Sequence, residues 1–89
     1  PIRWKIVVTG RVQGVGYRYS AAHRARELDI TGSVRNLPDG NVCIEAQGAA
    51  SKVAEFYQWC QQGPPMAHVI SAVVTEQPLQ QDQDFRILR

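Results

Sequence analysis

Two alternating segments meet at Pro38-Asp39-Gly40, and each is flanked on its outer side by a helical stripe. Few folds accommodate that order. Upstream of the turn, Ile30, Gly32 and Val34 alternate with Thr31, Ser33 and Arg35; downstream, Val42, Ile44 and Ala46 alternate with Cys43, Glu45 and Gln47. Period-two alternation marks strands with one buried face. The proline presets φ and the glycine accepts positive φ, so the turn joins an antiparallel hairpin. Before the hairpin, Tyr17, Ala21, Ala25 and Leu28 form one apolar stripe of a helix over Tyr17–Leu28, leaving Arg24 and Glu27 toward water. After it, Val53, Phe56, Tyr57 and Cys60 fall on one side of a second helix over roughly Ser51 to Gln62. Gly63-Pro64-Pro65 stops that helix. The outer strands are Trp4–Thr9 and His68–Thr75, both rich in β-branched residues, with a short last strand at Phe85–Leu88. The segment Glu76 to Asp84 is polar, carries Pro78, and reads as a loop.

The predicted order is therefore β-α-β-β-α-β with a short extra C-terminal strand. Right-handed crossovers in both halves put the two helices on one face of a single sheet. The expectation is a ferredoxin-like α/β (α+β) sandwich with an antiparallel sheet. Many unrelated activities use that fold, so it implies no function by itself. A chain of 89 residues suits one domain, 1–89. No run approaches the ~20 apolar residues of a membrane span, and Pro1 to Lys5 lack a signal-peptide pattern. The expectation is a cytoplasmic monomer with no membrane partner. Cys43 and Cys60 lack Cys-x-x-Cys spacing, and only two histidines accompany them. They read as half-buried free thiols, with a disulfide left open and no metal site expected.

Charge divides unevenly along the chain. Residues 1–36 carry seven basic groups against Glu27 and Asp29, a surplus of five, whereas residues 37–89 carry three basic groups against six acidic ones. An anionic ligand therefore meets the first half of the chain. Within that half, Gly10, Gly14 and Gly16 punctuate the segment between first strand and first helix, and Arg18 stands in the helix's first turn. Such a turn aims N–H groups at one point, where the helix dipole adds positive potential. A guanidinium matches phosphate oxygens two at a time. The bare pattern fits either an anion cradle or a structural turn that needs glycines. It is neither a Walker loop nor a dinucleotide fingerprint, since no Gly-Lys-Ser/Thr and no third glycine follow Gly14-Val15-Gly16.

The segment VTGRVQGVGYR resembles the first signature of the acylphosphatase family, and GSVRNLPDGNV followed by Gly48 resembles the second. The resemblance spans the chain. It implies hydrolysis of acyl phosphates, with the loop Gln13, Gly14, Val15, Gly16, Tyr17 and Arg18 holding the phosphoryl group. It assigns substrate binding to Arg18 and positioning of the attacking water to Asn36. No cofactor or metal is expected, and inorganic phosphate is expected as product and competitive inhibitor. Two positions depart from the family pattern. Tyr17 stands where phenylalanine is usual, a change expected to matter little, and Ser33 stands where an aromatic is common, which is expected to remove packing beside Asn36.

The expected chemistry suits a site without an acid. A carboxylate leaving group has a reference pKa near ~4, and phosphoryl transfer passes through a loose transition state. Neither a general acid nor early deprotonation of water is needed, leaving positioning and charge stabilisation. Gln13 is a candidate brace for the loop; Arg11 and Arg35 read as solvated, and His23 and His68 receive no role. Two rival readings compete with this one. A hydrogenase-maturation module shares the first signature but commonly has proline after the motif arginine, where this chain has Tyr19. An RNA-binding module of the same topology needs aromatics on two central strands. Trp4 offers one, but Asn41 to Gln47 offers none and carries Glu45, so no nucleic-acid partner is expected.

Overall fold

The computed structural model describes residues 1–89. Its elements are β1 (Ile2–Arg11), α1 (Tyr17–Glu27), β2 (Thr31–Asn36), β3 (Val42–Gly48), α2 (Ala50–Gln62), β4 (His68–Gln77) and β5 (Phe85–Ile87). One five-stranded sheet has the order β4-β1-β3-β2-β5. The β1–β3, β1–β4 and β2–β3 pairings are antiparallel as expected, but β2 pairs parallel with β5, Gly32 opposite Phe85 and Val34 opposite Ile87. The sheet is thus mixed, a correction to the antiparallel expectation. Its cause is the Pro78–Asp84 segment, which carries the chain from the β4 edge across the sheet and delivers β5 at the far edge running with β2. No helix is long and apolar enough to cross a membrane.

Alternation sorts the strands' side chains between two faces. Ile6, Val8, Val34, Val42, Ile44 and Ala46 point to the helices and join Ala21, Ala22, Ala25, Val53, Phe56 and Cys60 in one buried cluster. Phe56 stacks on Trp59 and meets Phe85 edge-on at 6.0 Å, so the last strand is sealed to α2 by aromatic packing. Arg3, Ser33, Cys43, Glu45 and Gln47 occupy the opposite face. Cys43 and Cys60 are both free and more fully buried than expected, at 2% and 0% exposure. The sheet stands between them, so they do not pair.

Strand β1 continues past Thr9, where the sequence reading ended it. The β1–β4 register shifts between Thr9 and Gly10, a bulge that lets pairing continue to Arg11. Gly10 sits there at φ 125°, with His68 O only 2.2 Å from where a Cβ would stand. A side chain cannot fit, so this glycine serves the sheet rather than an anion.

Candidate active site

The loop after β1 is pinned at both ends by buried side chains, Val12 and Tyr17. Between them Gln13 points its amide at the hairpin turn, Nε2 donating to Leu37 O and Asn41 O, each at 2.8 Å. The turn is itself closed by Leu37 N–H to Asn41 O at 2.8 Å and by the Asp39 carboxylate, which accepts from Asn41 N–H at 3.0 Å. Gln13 therefore braces the glycine loop against the segment that follows Asn36, the last residue of β2.

Gly14 and Gly16 adopt φ 73° and 80°, and open space surrounds the position of a Cβ at both. Their role is conformational: left-handed backbone turns the loop into the helix without strain. Gly16 is the N-cap of α1, with no side-chain cap and no acidic residue in the first turn. The helix's first bond is Ser20 N–H to Gly16 O at 3.1 Å. None of the N–H groups from Gln13 to Gly16 donates to a backbone acceptor. The first-turn N–H groups are likewise the ones a helix leaves unmet. A run of N–H groups without backbone acceptors thus lies at the positive end of the helix dipole, where negative charge is favoured.

Val12, Gly14, Gly16, Tyr17, Arg18, Tyr19 and Asn36 line one cavity of about 190 Å³. Sequence reasoning brought together Gly14, Gly16, Tyr17, Arg18 and Asn36, and the structure places them around this single space. Val15 instead packs against the core, and Gln13 acts from outside as the brace. Arg18 Nη1 donates to Leu88 O at 2.9 Å, while Leu88 N–H donates to Val34 O at 2.8 Å. The backbone of one residue, Leu88, thus links the guanidinium to the strand that carries Asn36. Asn36 Oδ1 is buried and has no hydrogen-bond partner. No carboxylate or imidazole lines the cavity. A larger recess of about 430 Å³ opens on the other face of the sheet, but its charged residues are largely paired with each other.

Both departures from the family pattern read differently once folded. Tyr17 is not idle: its hydroxyl donates to Cys60 O at 2.7 Å, tying the start of α1 to the end of α2. Ser33 lies on the open face with Arg35, opposite to Val34 and Asn36, so it removes no packing beside Asn36. Val12, Tyr19 and the Leu88 carbonyl escaped the sequence reading. Adjacency to Arg18 was the only hint for Tyr19, and a backbone carbonyl leaves no signature at all.

The acylphosphatase family profile matches residues 4–87. Acylphosphatase from Methylococcus capsulatus is 48% identical over 88 residues, covering 98% of this chain and 96% of the relative. The crystal structure of acylphosphatase from Bacillus subtilis superposes with a TM-score of 0.97 at 34% identity, covering all of both chains. HypF from T. kodakarensis is similar at TM-score 0.87 and 28% identity, all of this chain against 12% of that one.

Proposed function

The chain belongs to the acylphosphatase family and hydrolyses acyl phosphates to carboxylate and phosphate, and we propose that Arg18, Asn36 and the Gln13–Arg18 backbone carry that reaction. Residues 1–89 act as one domain, without cofactor or metal. The loop N–H groups and the Arg18 guanidinium hold the phosphoryl oxygens. Arg18 has five N–H donors, and one is committed to Leu88 O, which leaves a fork for two oxygens. Asn36 holds a water through its side-chain amide, directing the water's lone pair at phosphorus, in line with the departing carboxylate. That carboxylate is a weak base and leaves unprotonated, which suits a cavity without an acid. Inorganic phosphate offers the same oxygens to the same donors and competes with substrate.

The observation that carries this reading is that Asn36, whose side-chain amide pairs with no protein group, lines one cavity with Arg18. An amide without a protein partner is free to bind a water, and no other side-chain amide lines this cavity. Relatives matched along almost their whole length are named acylphosphatase, which favours this activity over service as a maturation-protein module.

Steady-state kinetics separates the two residues. Asn36 acts mainly on the water, so Asn36→Ala lowers kcat by about 10²-fold, the effect of losing ~3 kcal/mol of positioning, with KM and phosphate inhibition nearly unchanged. Arg18→Ala weakens phosphate inhibition and lowers kcat together, and Arg18→Lys rescues poorly because an ammonium offers no fork. A folded Asn36→Ala enzyme, verified by circular dichroism, with near-normal kcat removes the water-positioning role.

A further inference from the structure

We propose that Tyr19 is the platform for the acyl group of the substrate and that it biases the enzyme toward acyl phosphates with aromatic acyl groups. The inference rests on the reading that the cavity holds the phosphoryl group. The polar donors of that cavity belong to the loop, Arg18 and Asn36, and Val12 and Tyr17 wall it with buried side chains. With the phosphoryl group held against the loop, Arg18 and Asn36, the acyl moiety extends toward the mouth of this space of about 190 Å³, where Tyr19 stands.

Tyr19 lines that same space and is 73% exposed. The other six aromatic side chains of the chain, Trp4, Tyr17, Phe56, Tyr57, Trp59 and Phe85, each pair with another ring. Tyr19 pairs with none, and its hydroxyl takes part in no side-chain hydrogen bond, unlike those of Tyr17 and Tyr57. The one unpartnered ring therefore stands one residue from the guanidinium, on a helical turn that fixes its backbone. A planar acyl group leaving the cradle finds a π-face there, and stacking between rings adds attraction beyond the area it buries. No carboxylate lines the cavity to repel the carboxylate product as it forms.

Benzoyl phosphate and acetyl phosphate test this, since both release carboxylates of similar basicity and differ chiefly in the ring. Tyr19→Ala is expected to lower kcat/KM for benzoyl phosphate about five- to tenfold, the size of an aromatic contact, and to change acetyl phosphate less than twofold. Tyr19→Phe retains the wild-type preference, and inhibition by inorganic phosphate is the same in all three proteins. Equal losses on both substrates, or no loss on either, overturn the assignment. Phosphate inhibition of wild type and Arg18→Ala is measured alongside. If Arg18→Ala leaves that inhibition unchanged, the phosphoryl-cradle reading fails and this inference with it. If it weakens the inhibition while Tyr19→Ala leaves the preference intact, only the platform falls.

Discussion

Tyr17 joins the two helices at a carbonyl that Pro64, just past the end of α2, leaves without its helical donor. In an uninterrupted helix the carbonyl of Cys60 takes the N–H of residue 64, but Pro64 has none to give. The Tyr17 hydroxyl supplies the missing donor at 2.7 Å, inside the core. Tyr17→Phe strands that carbonyl and is expected to cost about 1–2 kcal/mol in urea unfolding, with kcat near wild type. The same variant has a pH signature. Burial above all pushes the Cys60 thiol up to about 12 from 9.0, and burial, then the neighbouring Cys60, pushes the Tyr17 hydroxyl above its usual 10.0. Above those ordinary values the unfolded chain releases protons that the folded chain keeps, so stability falls as pH rises. Wild type is expected to lose stability from near pH 9, and Tyr17→Phe to lack the added decline above pH 10. Identical pH slopes for the two proteins would contradict the sign or the assignment. That Arg18 and Asn36 would share one cavity was legible in the sequence because their motifs fix residue type and spacing together. The hydroxyl's partner was not, since it depends on how α1 meets α2 and on a donor missing from Pro64.

Element order, both helices and the hairpin were legible because alternation, helical stripes and Pro38-Asp39-Gly40 are local signals. The ends of the sheet were not. Gly10 reads locally as a strand terminator, whereas pairing across the bulge with β4 carries β1 to Arg11. The direction of β5 depends on which edge it reaches, and a three-residue strand holds no such information. That strand nevertheless bears on the proposed site, through Leu88 immediately after it. Leu88 N–H holds Val34 O and Leu88 O holds Arg18 Nη1, so the guanidinium is steered by backbone alone. Removing Leu88 and Arg89 leaves β5 paired but frees Arg18. The expected result is a KM and a phosphate inhibition constant each raised about three- to tenfold, the loss of one hydrogen bond to a charged group's positioning. Circular dichroism is expected to stay native. Unchanged phosphate affinity in the truncated protein would show that the loop fixes Arg18 without help.

Across the whole molecule, the sheet divides an apolar side filled by two helices from an open side covered by the Pro78–Asp84 strap. Arg3 anchors the strap. Its side chain is 3% exposed, and its guanidinium donates to Gln47 at 3.3 Å, to Glu45 at 3.1 Å and to Asp82. Gln47 and Gln80 add a reciprocal pair at 2.8 and 2.9 Å. Burial acts to lower the pKa of Arg3, but the bonds to Asp82 and Glu45 outweigh it and hold the pKa above its ordinary value. A basic group raised in this way contributes its stability at every pH below that of its own titration, so the anchor stays charged throughout the working range. Removing it leaves two carboxylates unpaired, each still partly solvated at 28–30% exposure, which keeps the penalty below that of a fully buried pair. Arg3→Ala is expected to lower unfolding free energy by about 1–3 kcal/mol, and Arg3→Met by less, because its side chain retains most of the buried packing. Because the strap delivers β5 and Leu88, KM is expected to rise with both substitutions while kcat changes little. Loss of stability with an unaltered KM would confine the strap to holding the fold. A fully stable Arg3→Met protein would mean that packing, rather than charge, fastens it.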